Sequence, residues 1–131
     1  MVTLTDREYK VVSIIWSEGR GLTSEEIYTL FPNSALKQSA LHPTINGLLK
    51  KDMIYVESMV QSGRTYARIF NTTMTMEEYH SRQIKDEHSY MREKEKKLPG
   101  LFAALIDDDD IHQDTLAKLE KLIEERKKEL E

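Results

Sequence analysis

The stretch from Leu36 to Ile54, LKQSALHPTINGLLKKDMI, constrains the fold of this chain more than any other. Leu41, Ile45, Leu48 and Leu49 recur at helical spacing, so they turn one face of a helix into a core. Ser39, His42, Pro43 and Asn46 then look outward, and that outward face is where function is expected. Two short helical segments precede the stretch, and a hairpin-like segment from Tyr55 to Phe70 follows it. The order helix, helix, helix, strand, turn, strand is that of a winged helix-turn-helix.

The flanking segments carry their own start and stop signals. Thr5-Asp6-Arg7-Glu8 has the form of a capping box, in which the threonine oxygen accepts from the third helical amide and the glutamate reaches back. The helix it starts has an apolar stripe of Val12, Ile15 and Trp16, and Gly19 to Gly21 ends it. Tyr9 and Trp16 are read as core rather than as a ligand cage. Leu22 is expected to make a strand contact of one or two residues. Thr23-Ser24-Glu25-Glu26 repeats the box for a second helix that runs to about Phe31, and Pro32-Asn33-Ser34 is the turn after it.

The central helix contains Pro43. Proline lacks an amide proton and costs roughly 3 kcal/mol inside a helix, so the helix is expected to begin near Ser39 and to hold the proline in its first turn. Gly47 costs about another 1 kcal/mol relative to alanine, so a short or kinked helix is predicted. Lys50 and Lys51 fall in its last turn, where they either offset the helix dipole or meet a phosphate. Ile54 to Val60 and Thr65 to Phe70 are rich in β-branched and aromatic residues around Gln61-Ser62-Gly63-Arg64. That hairpin is the wing, with Arg64 at its tip and Arg68 further along, both within reach of a phosphate or a minor groove.

From Thr75 the chain is helical again. Thr75-Met76-Glu77-Glu78 is a third box, and its helix is expected to stop at Leu98-Pro99-Gly100. Leu101 to Ile106 reads as a separate short apolar helix. A last helix, about His112 to Leu130, carries Leu116, Leu119, Ile123, Arg126 and Leu130 at spacings of three and four, the pattern of a coiled-coil stripe. Two or three heptads do not hold an oligomer alone. The stripe is therefore expected to pack against Leu101, Phe102, Leu105 and the Thr75 helix of a second copy.

Composition narrows the classes of function. The net charge of −4 argues against a nucleic-acid binder only until it is divided along the chain. Through Asn71 there are eight Lys and Arg against seven Asp and Glu, and after it eleven against sixteen. The acidity sits in the tail, and a local basic patch is what attracts phosphates. The chain has no cysteine, which excludes disulfides and thiolate zinc sites. Leu101 to Ile106, the longest apolar run, is too short to span a bilayer, and the N-terminus has no apolar segment behind a basic start, so a cytoplasmic protein is expected. His42, His80, His88 and His112 lie on four separate stretches, joined by no nucleophile–base pair, phosphate loop or metal spacing. No catalysis, cofactor or metal is expected. The run Asp107 to Asp110 reads as a solvated corner rather than a cation site.

At LTDREYKVVSIIW, LTSEEI, TINGLLKKDMI and GRTYARIF the chain resembles the BlaI/MecI penicillinase-repressor family, which includes the copper-responsive CopY-type repressors. The resemblance covers essentially the whole chain and is most specific in the first helix and the Gly63-Arg64-x-Tyr66 wing. It implies a homodimeric bacterial repressor with an N-terminal winged helix on a palindromic operator and a C-terminal helical region that dimerises. The family's recognition helix usually carries lysine or arginine, threonine and arginine where this chain has His42, Pro43 and Gly47, so the replacements are expected to weaken the DNA surface. The family's cleavable Asn-Phe pair falls on Ala104-Leu105, and without cysteines the metal-exchange route is absent too.

The expected protein is mainly α: a winged helix-turn-helix domain over residues 1–73, three helices and a β-hairpin wing, with a helical dimerisation region over residues 74–131. Its expected DNA contacts are Lys37, Gln38, Ser39, His42, Asn46, Lys50, Arg64 and Arg68. Its expected dimer contacts are Leu101, Phe102, Leu105, Leu116, Leu119 and Ile123. The partners are double-stranded operator DNA, a second copy of the chain, and an inducer or sensor protein of unspecified chemistry. The rival reading is a winged-helix dimer whose altered recognition surface binds protein instead.

Overall fold

The computed structural model describes residues 3–31 and 37–131, with no account of the side chains of 88 and 89. The expected turn at Pro32-Asn33-Ser34, and Leu36 with it, lies outside the described residues. By backbone contact the chain forms two compact units, Met1–Asp86 and Glu87–Glu131.

The first unit opens with α1 (Asp6–Glu18), β1 (Leu22–Thr23), α2 (Ser24–Leu30) and α3 (Gln38–Lys50). The wing strands β2 (Ile54–Ser62) and β3 (Thr65–Thr72) follow, and α4 (Met76–Lys85) closes the unit. Both of the first two capping boxes form as read: Thr5 and Thr23 accept from the amides of Glu8 and Glu26, whose carboxylates return to the cap amides. At α4 only half of the box forms. Thr75 accepts from the Glu78 amide, while the Glu78 carboxylate accepts from the Thr75 hydroxyl at 3.3 Å.

The three strands make one antiparallel sheet in the order β1-β3-β2, with Leu22 opposite Phe70 and Ser62 opposite Thr65. Leu22 thus makes the short strand contact expected of it. A bulge at Glu57 interrupts the β2–β3 register between Val56 and Ser58. Gly63 and Arg64 form a two-residue loop in which Gly63 alone has a positive φ, +64°, the pattern of a type II′ turn that matches the twist of its strands.

Val11, Val12, Ile15, Leu22, Ile27, Ile45, Leu48, Met53 and Ile54 are fully buried between α1, α2, α3 and the root of the wing. Each such side chain stabilises the fold by about 1.5–3 kcal/mol relative to exposure. Tyr9, Trp16, Tyr79 and His80 gather at 5.5–6.2 Å between ring centroids and fasten α4 to α1. The Trp16 indole N–H also donates to the Met74 carbonyl at 3.0 Å, and Tyr9 Oη bonds His80 Nε2 at 2.9 Å. Trp16 packs against the core as read, whereas Tyr9 stays at its margin, 37% exposed.

The second unit holds α5 (His88–Arg92), α6 (Lys94–Ile106) and α7 (Gln113–Glu129). One helix from Thr75 to the Lys97 region was expected to stop at Pro99, but α4 ends at Lys85 and α6 runs through Pro99 from Lys94 to Ile106. The same correction applies to α3, which starts at Gln38 and holds Pro43 as its sixth residue, in the second turn rather than the first. Each proline removes a single amide bond, to the carbonyl of Ser39 or of Glu95. Ser39, Pro43, Glu95 and Pro99 are all exposed, so each freed carbonyl belongs to a residue on a solvated side. Neither α3 nor α6 is short, at 13 residues each.

This arrangement carries a prediction. Pro43→Ala restores the missing bond at a solvated position, where proline is about 3 kcal/mol worse than alanine, offset by up to about 1 kcal/mol of greater freedom in the unfolded chain. Urea unfolding should therefore show a gain of about 2 kcal/mol at unchanged m-value. A loss of stability would mean that Pro43 is held by packing rather than tolerated.

Candidate nucleic-acid interface

The core side of α3 is set by Leu41, Thr44, Ile45 and Leu48, all buried, with the Thr44 hydroxyl turned back to the Ala40 carbonyl at 2.8 Å. The opposite face is thereby fixed outward. Lys37, Gln38, Ser39, His42, Pro43, Asn46 and Lys50 are all exposed. The first turn of α3 contains no acidic residue and its N-cap, Lys37, makes no side-chain cap, whereas α1, α2 and α4 each start with acidic residues and a side-chain cap. The positive end of the helix dipole is left uncompensated at this face.

Gln38, Ser39 and His42 line a groove with Ser24, Glu25, Tyr28 and Thr29 of α2. The α2 contribution was not read from the sequence. Its signal was Tyr28, an aromatic directly after the buried Ile27 and therefore turned outward, where it is 40% exposed. Asn46 and Lys50 continue the same α3 face beyond the groove. On the wing, Arg64 is exposed in the two-residue loop, and the guanidinium of the exposed Arg68 lies over the Phe70 ring, its Cζ 5.0 Å from the ring centroid.

Two positions that the sequence reading weighed at the DNA surface, Lys51 as a candidate phosphate contact and Gly47 as a replacement that weakens it, face elsewhere. Lys51 Nζ sits 2.5 Å from Glu8 Oε1 and 2.8 Å from the Thr3 carbonyl, so it is held within the fold and not offered to a phosphate. Gly47 is the second. A Cβ there would come within 2.6 Å of Glu8 Oε2, so Gly47 lies on the side of α3 that meets the Glu8 carboxylate of α1 rather than on the outward face. Glu8, 5% exposed, is the hub of both contacts. Burial pushes its carboxyl up, but the hydrogen bonds from Lys51 and the Thr5 amide, with the Lys51 charge, outweigh burial and hold it below the usual carboxylate value.

A family model described as penicillinase repressor matches residues 4–125. The chain belongs to the penicillinase repressor family. As a member of that family it is a DNA-binding transcriptional regulator, in keeping with the winged helix-turn-helix assembled by α1 to β3. A comparison with curated proteins finds no match. Among solved structures, the chain is similar to the adhesin competence repressor from Streptococcus pyogenes, at 17% identity and a TM-score of 0.42 over 98% of this chain and 82% of that one. It is also similar to a MarR family regulator from Neisseria meningitidis, at 22% identity and a TM-score of 0.44 over 94% and 81%.

The second unit of this penicillinase-repressor chain is apolar in stripes rather than in a core. No residue of α6 or α7 is fully buried. Leu101, Phe102, Leu116 and Leu119 are half-buried, while Leu105 and Ile123 are 60% and 43% exposed. Among the described residues no helix is long and apolar enough to cross a membrane.

Proposed function

We propose that this repressor acts as a homodimer that occludes promoter DNA, with α3 in the major groove of each half-site. Gln38, Ser39, His42 and Asn46 face base edges, and Lys37, Lys50, Arg64 and Arg68 hold backbone phosphates. The observation that carries this reading is the α3 face: Lys37, Gln38, Ser39, His42, Pro43, Asn46 and Lys50 are exposed with no carboxylate among them, at a helix start with no side-chain cap. The region 74–131 supplies the dimer contacts. Support comes from the apolar stripes on Leu101, Phe102, Leu105, Leu116, Leu119 and Ile123, none of them fully buried in α6 or α7. A dimer is also what reading two half-sites one helical turn apart requires. Its inducer is proposed to act by a route other than cleavage at Asn-Phe, since Ala104-Leu105 stands there.

The division of labour is testable by two substitutions. Asn46→Ala should cost about 1–3 kcal/mol on promoter DNA and little on random duplex, because a base contact carries the specificity. Arg64→Ala should weaken both duplexes alike and reduce the salt slope by about one per wing. Promoter and random duplex affected equally by Asn46→Ala would contradict the assignment of α3 to base reading.

A further inference from the structure

Arg7 stands where helix electrostatics disfavours it. The first turn of a helix favours carboxylates, and in α1 Asp6 and Glu8 follow that rule while Arg7, between them, does not. Nothing in the fold offsets this: Arg7 is exposed, and among the described residues its guanidinium makes no hydrogen bond or ion pair. The neighbouring Glu8 carboxylate is taken by Lys51 and the Thr5 amide. Arg7 instead lines a groove between the start of α1 and Ala40, Pro43 and Thr44 of α3, with Asp6 in the same wall. The recognition helix is thus bordered twice, by α2 along Ser39 and His42 and by Arg7 along Ala40 and Pro43. His42 and Pro43, about 100° apart around the helix, lie towards opposite edges of its outward face, with Ser39, Asn46 and Lys50 between them.

Resting on the DNA-reading function above, we propose that Arg7 is a further phosphate contact of the interface, holding the DNA backbone on the side of α3 away from α2. A helix in the major groove has a phosphate backbone on either side of it. One falls to the α2 side, and the other to the start of α1. The cations of α3 itself, Lys37 and Lys50, stand at its two ends, about 20 Å apart at 1.5 Å per residue, so neither serves the backbone beside Pro43. Arg7 stands beside that middle. A guanidinium presents its donors in a planar fork that matches phosphate oxygens, and it stays charged across the working pH range. Asp6 is the opposing group, because its exposed carboxylate shares the groove, is in no ion pair among the described residues, and repels the phosphate that Arg7 attracts. Arg7 positions the duplex and reads no base.

The test is fluorescence anisotropy of the full-length protein on its own upstream promoter and on random duplex, across a salt series. Arg7→Gln, an exposed change that removes the charge and keeps the stem, should weaken both duplexes by on the order of tenfold. It should also lower the salt slope by about two per dimer, one for each protomer. Asp6→Asn, which removes the opposing charge, should tighten binding to both. The contact itself is read with single methylphosphonate linkages placed along the promoter duplex. At the phosphate that Arg7 holds, the neutral linkage should weaken the wild type and leave Arg7→Gln unaffected. Binding unchanged in either variant, or a loss in Arg7→Gln that no methylphosphonate position distinguishes from the wild type, would overturn the inference and leave the DNA-reading function intact. Absence of promoter-selective binding by the wild type would overturn that function and this inference together.

Discussion

Glu8→Ala should destabilise the winged-helix unit by about 2–3 kcal/mol, although residue 8 lies outside the proposed DNA face. The substitution removes the cap to the Thr5 amide and leaves Lys51 without its partner. Charged hydrogen bonds contribute about 1.5–3 kcal/mol each, and breaking a fully buried ion pair costs about 3–5 kcal/mol. Lys51 is 35% exposed and regains water, which keeps the loss below that limit.

The same carboxylate gives a pH signature. Its pKa is lower in the folded chain than the ordinary value of 4.5, so its contribution is complete above that value and is lost as pH falls through the folded pKa. The stability gap between wild type and Glu8→Gln should therefore be constant above about pH 5 and close below it. Gly47 adds a coupling. Gly→Ala within a helix normally gains about 1 kcal/mol, but here the new Cβ would meet Glu8 Oε2 at 2.6 Å. Gly47→Ala should lower stability in the wild type and raise it in Glu8→Ala, with a coupling of about 1–2 kcal/mol in a double-mutant cycle. Additive effects would separate the two residues.

The second large effect belongs to the α7 stripe. Replacing Leu116, Leu119 and Ile123 together by serine should convert the proposed dimer to a monomer by sedimentation and weaken promoter binding about 100-fold or more. Joining two half-site readers typically multiplies affinity by about 10²–10⁴, and that factor is lost when the link is cut. The winged-helix unit should keep its own unfolding transition, because its core uses none of these residues. A triple variant that sediments and binds as the wild type does would place the interface elsewhere.

What the sequence made legible was local. The capping boxes at Thr5 and Thr23 could be read because donor and acceptor lie three residues apart and the chemistry is self-contained. The glycine turn of the wing and the short Leu22 strand follow from equally short-range patterns. The Glu8–Lys51–Gly47 contact could not be read, because its hydrogen bond joins residues 43 apart and nothing in either segment names the other. Gly47 looked like an outward position emptied of its side chain, when it lies against the Glu8 carboxylate of α1. Pro43 and Pro99 were misplaced for a related reason. A proline's local cost is knowable from sequence, but whether packing elsewhere along the helix outweighs it is not. In α3 the burial of Leu41, Ile45 and Leu48 does outweigh it. The outward set of Gln38, Ser39, His42 and Asn46 was legible because helical spacing alone assigns it once the buried face is known.

The chain is proposed to read promoter DNA through α3 and the wing. Its most direct test is a titration of the purified protein against its own upstream promoter and against random duplex, at two salt concentrations. Promoter-selective binding is expected, tighter than to random duplex by at least about 10³, that weakens steeply with salt as phosphate-bound cations require. Equal and feeble binding to both duplexes would contradict it and turn the winged-helix face into a protein-binding surface.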